Sequence, residues 1–141
     1  MATDFFPQLI LGHFIGDFLL QNKWMAMNKS ASNWKCAVHC ALYTLAVTAT
    51  TYPTIFSFQW SIFVFLTHFP VDRWSWADKW LDLINGRSLR DFIISGKHGI
   101  PKEYDFENYH CLRGGFTSVV YTVADNTIHL ILMWYGYKLL F

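Results

Sequence analysis

Three times a histidine and an aspartate stand four residues apart inside apolar sequence: His13 with Asp17, His68 with Asp72, and Asp125 with His129. On a helix that spacing puts both side chains of a pair on one face, one turn apart, so each pair can grip a single object from one direction. A further apolar stretch carries His39. Ionisable groups within apolar sequence are expensive to bury and mark a functional site. Imidazoles with carboxylates make a donor set for a divalent metal ion, with Zn2+ the first expectation and Mn2+ or Fe2+ also compatible. The candidates His13, Asp17, His39, His68, Asp72, Asp125 and His129 exceed the three or four ligands that one zinc ion takes, so a centre of two ions with a bridging carboxylate is the preferred form. Asp17, Asp72 or Asp125 would serve as general base. Gln21 continues the face of His13 and Asp17 and is placed to orient a ligand or substrate, while Arg73 would hold an anionic group, as would Arg87, Arg90 or Lys97. Each pair also has a plainer reading, as a buried hydrogen-bonded tie or part of a proton path without metal.

Elements must bring these residues together, and composition says which kind. The chain has 141 residues, 53% hydrophobic and 19% aromatic, with 15% charged against the roughly 25% usual in soluble proteins. A membrane-like, all-α, single-domain chain is the expectation. A net charge of +1 argues against nucleic acid as a partner, because phosphate binding needs a concentrated basic surface. Cys36, Cys40 and Cys111 are odd in number and lack a paired CxxC arrangement, so they read as reduced thiols. The start, Met-Ala-Thr-Asp, has neither the basic stretch nor the cleavage site of a signal peptide.

No Lys or Arg falls within 1–22, 36–72 or 114–137. With a turn at Pro53, these gaps predict four transmembrane helices at about 5–21, 36–51, 55–71 and 115–137. Basic residues cluster in the first and third connections, which places those loops in the cytoplasm and both termini outside a bacterial inner membrane. The tryptophans, Trp60 among them, fall near span ends as an aromatic belt. Residues 71–85 repeat apolar side chains at helical spacing and read as an interfacial amphipathic helix; 86–113 reads as a polar loop, with His98 and His110 solvated. Gly12 and Gly16 have the GxxxG spacing that lets another backbone approach closely. Pro70 lies between His68 and Asp72, where a kink would alter their spacing, and Asp125 and His129 are expected about 18 and 24 Å past Arg113, deeper than the other candidates.

The run HFIGDFLLQNKWMAMNK, the HCALYT around His39, HFPVDRW and the late DNTIHL resemble a family of small bacterial and phage membrane proteins, domain of unknown function 3307. The resemblance covers most of the chain outside about 86–112, implies a helical membrane fold and carries no known activity. Function is therefore expected from the site: a metal-dependent hydrolase acting on a lipid or membrane-tethered peptide in the bilayer. The alternatives are a metal-ion or proton transporter or channel subunit, which would need a homo-oligomer, and a protein with a structural metal site.

Overall fold

Local signals begin and end the helices. In the computed structural model, residues 5–52, 58–85 and 106–141 are described. Helix α1 (Phe5–Phe14) has Pro7 in its first turn, where a missing N–H leaves no bond unmade. It runs into a π segment, Ile15–Leu19, closed by Leu20 N–H donating to the Ile15 carbonyl at 2.9 Å. Asn22 caps α2 (Lys23–Ala26), its side chain accepting from Met25 N–H at 3.0 Å. Helix α3 spans Asn33–Thr51 and α4 spans Phe58–Arg73. The α4 chain stays helical through Pro70, and Ser75 then takes a left-handed φ of 50° before α5 (Trp76–Asn85). Helix α6 covers Phe106–Leu140, 35 residues.

By contacts the chain divides into two units, Met1–Ser75 with Ile128–Phe141, and Trp76–Thr127. In the first, α3 packs against both α1 and α4. The approach of α1 to α3 depends on glycine: a Cβ at Gly12 would lie 2.8 Å from the Val47 Cα, and one at Gly16 would lie 2.6 Å from the Tyr43 ring. Phe5, Leu9, Tyr43, Val47, Trp60, Val64 and Met133 form the core. Tyr137 closes it by stacking on Phe5 with ring centroids 3.9 Å apart. His129, Met133 and Tyr137 recur every fourth residue, so one face of the end of α6 supplies both core and site. In the second unit, α5 buries Ala77 and Leu81 and exposes Trp80, Leu83 and Ile84.

Among the described residues the architecture is all-helical, as expected; the membrane is not. Among the described residues no helix is long and apolar enough to cross a membrane. Spans 5–21, 36–51, 55–71 and 115–137 therefore do not stand as transmembrane helices, and the inner-membrane location and loop orientation derived from them fall too. The reason is that lacking Lys and Arg is not the same as being apolar. Helix α1 and its π segment together give 15 residues, 10 and 5, and α4 has 16, short of the ~20 that a span needs. Helix α3 reaches 19, yet carries His39, Thr44, Thr48, Thr50 and Thr51. Helix α6 is long enough, but Asp125, Asn126 and His129 interrupt it. Trp60 is no belt residue either: it is fully buried, its Nε1–H donating to Thr51 Oγ1 at 3.2 Å. Boundaries also move. Residues 71–73 end α4, the following helix occupies only 76–85, and 106–113, expected in a loop, begin α6. The Pro53 turn and Arg87, Arg90, Lys97 and His98 lie outside the described residues.

Candidate metal centre

Asp17 comes from the π segment, His39 from the second turn of α3, and His68 and Asp72 from the last turns of α4. The π segment has a local consequence: its shifted hydrogen bonding lets the Gln21 side chain donate to the Asp17 carbonyl at 2.7 Å. Such segments occur frequently at functional sites. On α4 the helix survives Pro70, so His68 and Asp72 keep the facing positions their spacing calls for, with Nε2 3.2 Å from Oδ2.

The four side chains meet. One donor atom from each of Asp17, His39, His68 and Asp72 lies within 4.8 Å of every other, and all four residues are buried. His39 Nε2 stands 2.9 Å from Asp72 Oδ2, 3.2 Å from Asp17 Oδ1 and 3.1 Å from His68 Nε2. His68 Nε2 stands 3.6 Å from Asp17 Oδ1. None of the four carboxylate oxygens makes a hydrogen bond of good geometry among the described residues. Buried carboxylate oxygens are normally satisfied; here their unshared pairs and those of two imidazoles converge on one place, as ligands of a cation do.

The rings are held by stacking. His68 lies between Tyr43, with centroids 3.6 Å apart, and His129, at 4.1 Å. His39 Nδ1 and His68 Nδ1 are buried without a hydrogen-bond partner among the described residues. His129 Nε2 is 3.4 Å from Asp72 Oδ1, the oxygen turned away from His39 and His68. His13 Nδ1 pairs with the Tyr43 hydroxyl at 2.7 Å and lies 3.5 Å from Asp17 Oδ2, so His13 flanks the group of four. The Tyr43 hydroxyl donates to Met133 Sδ.

Charge is perturbed accordingly. Burial pushes the Asp17 carboxyl up, but His39, then His68 and His129, outweigh it and hold it at about 2. Asp72 is likewise driven up by burial and more strongly down by His68, His129 and His39, ending well below the carboxylate range. Burial lowers His39, yet Asp17 and Asp72 raise it to about 8. His68 falls to about 4 through burial and the neighbouring His129.

The remaining candidates are placed differently. The depth mismatch expected for His129 disappears, because its distance to Asp72 is set by α6 packing and not by residues counted from Arg113. Asp125 is buried on α6, four residues before His129, and belongs to the second unit. Arg73 is half-buried and holds the connection between α2 and α3, donating to Asn33 Oδ1 and to the Ser30 carbonyl. Cys36 and Cys40, one turn apart on either side of His39, are free thiols with Sγ atoms 3.8 Å from each other. Two contributors escaped the sequence reading. Lys29 Nζ lies 3.0 Å from Asp72 Oδ2, and nothing in local spacing links positions so far apart. Tyr43 follows His39 by one helical turn, a signal that could have placed it on the site face.

Residues 5–140 match the model of the family described as "Protein of unknown function (DUF3307)". The chain belongs to this family. The DUF3307 match includes every donor of the centre, and also the stretch 86–112 that carries none of the recognised motifs. No curated protein and no solved structure matches the chain.

Proposed function

We propose that this chain is a divalent-metal protein that uses its ion for hydrolysis. The observation that carries the reading is the convergence of His39 Nε2, His68 Nε2 and oxygens of Asp17 and Asp72 on one buried place. A divalent ion held there supplies a Lewis acid and brings the pKa of a bound water towards neutrality. The donors are nitrogen and oxygen only, whereas closed structural zinc sites are dominated by cysteine. The thiols of Cys36 and Cys40, three residues before and one residue after His39, face each other outside the group of four. Asp17 and Asp72 both belong to the ligand set, so the proton acceptor is assigned to His129, whose Nε2 lies 3.4 Å from Asp72 Oδ1.

Metal content of the purified protein tests the first half: about one Zn, Mn or Fe per chain is expected, lost in His68→Ala. Turnover of a phosphodiester and an ester chromogenic substrate tests the second. His129→Gln should keep the metal and lose about 100-fold or more in rate. A metal-loaded wild type that cleaves neither substrate faster than the metal-free protein sinks the hydrolytic reading. The burial of all four donors favours a second reading, an ion that staples the π segment, α3 and α4. On that reading His129→Gln changes nothing, and metal removal lowers stability alone.

A further inference from the structure

The Asp72 oxygen that faces His39 and His68 has a third neighbour. Lys29 Nζ lies 3.0 Å from Asp72 Oδ2, the same oxygen that stands 2.9 Å from His39 Nε2 and 3.2 Å from His68 Nε2. The Lys29 side chain is 14% exposed and the Asp72 side chain 1%, so the lysine reaches inwards from near the surface to the ligands. Its backbone is pinned. Lys29 N–H donates to the Met25 carbonyl at 2.9 Å, Arg73 holds the Ser30 carbonyl, and Lys35 donates to Asn28 Oδ1 at 2.8 Å. The moving part is therefore the four-carbon stem, which rotates freely about its single bonds.

An ion bound through Asp72 Oδ2 takes the oxygen that Lys29 now faces. The ammonium must then turn aside, yet its tether keeps it beside the ion. Two cations side by side where water is scarce repel strongly, and an anion between them reverses that cost. Lysine is well suited to this as a point charge that binds phosphate and carboxylate. We propose that Lys29 is the anion-binding residue of the loaded centre, which takes an oxyanion, a phosphate or carboxylate group, between the metal ion and the ammonium. This rests on the metal reading above and gives it a substrate class.

Co2+ tests the assignment, because its visible spectrum reports both loading and a change of ligand. Cobalt is added to the full chain, then inorganic phosphate or acetate is titrated in. Wild type should bind Co2+ and give a saturable spectral change with at least one of the two anions. Lys29→Met should bind Co2+ about tenfold more tightly, since no ammonium competes for Asp72, and lose tenfold or more in anion affinity. Lys29→Arg should restore the anion response. If Lys29→Met does not fold by circular dichroism, Lys29→Gln takes its place in the same titrations. A response to phosphate alone or acetate alone, lost with Lys29, supports the proposal and names the anion. Equal anion affinity in wild type and variant, or cobalt binding with no anion response in wild type, overturns the Lys29 assignment and leaves the metal reading standing. No cobalt binding by wild type overturns both.

Discussion

At the scale of single residues, Asp72 carries the most. One of its oxygens faces His39, His68 and Lys29, and the other faces His129. Asp72→Asn keeps the shape and removes the charge, so metal affinity measured by calorimetry should fall at least about 100-fold. The metal-free protein should also lose about 1–3 kcal/mol in chemical denaturation, because Lys29 loses its counter-charge while still partly buried. Tyr43 separates two roles that one side chain combines. Its ring stacks on His68 and its hydroxyl pairs with His13. Tyr43→Phe keeps the stack and should cost about 1 kcal/mol of stability with metal affinity within about threefold of wild type. Tyr43→Leu removes the ring that fixes the imidazole and should weaken metal binding about tenfold. Equal metal affinities in the two variants would show that stacking does not orient His68.

At the scale of elements, the approach of α1 to α3 is set by two small residues. Gly12→Ala puts a methyl against the Thr50 hydroxyl and 2.8 Å from the Val47 Cα, so that backbone as well as a side chain must give way and a loss of about 1–3 kcal/mol is expected. Gly115 lies within α6 with nothing inside 4 Å of an added Cβ among the described residues. Gly115→Ala should therefore stabilise the protein by about 0.5–1 kcal/mol. Melting temperatures of the two variants should move in opposite directions. What was legible in the sequence follows from the same local geometry. The pairs His13 with Asp17 and His68 with Asp72 were visible because four residues is a property of one helix, and it held across Pro70. Helix interiors were visible too, since the stretches free of Lys and Arg overlap α1, α3, α4 and much of α6 even where the ends differ. The membrane was misread from gaps between basic residues, which ignore the threonines of α3 and the shortness of α1 and α4. The depth of His129 was misjudged because the count began at Arg113, inside a helix that starts at Phe106. Lys29 was out of reach, since its partner Asp72 lies on another element and no local spacing encodes that contact.

At the scale of the whole molecule, the centre ties stability to pH in a direction that its charges fix. His68 is lowered from 6.5 to about 4, so the unfolded chain takes up that proton more readily than the folded one. Its contribution is whole above pH 6.5 and is lost as pH falls towards 4, on the order of 3 kcal/mol. Asp17, lowered from 3.8 to about 2, removes more stability as pH drops through that lower window. His39 works the other way: raised from 6.5 to about 8, it stabilises fully below 6.5, and that contribution disappears as pH rises through 8. The metal-free protein should thus melt highest near pH 6.5 and fall off on both sides, the alkaline fall vanishing in His39→Gln. A metal ion changes the alkaline side, because it needs His39 deprotonated and competes with a proton held up to about pH 8. Below that pH, affinity should weaken about tenfold for each unit for this one proton. At fixed zinc, the rise in melting temperature over the metal-free protein should therefore be larger at pH 8 than at pH 6, each tenfold in affinity adding about 1.4 kcal/mol once zinc is well above its dissociation constant. A zinc-induced rise equal at the two values would show that the ion is not bound through His39.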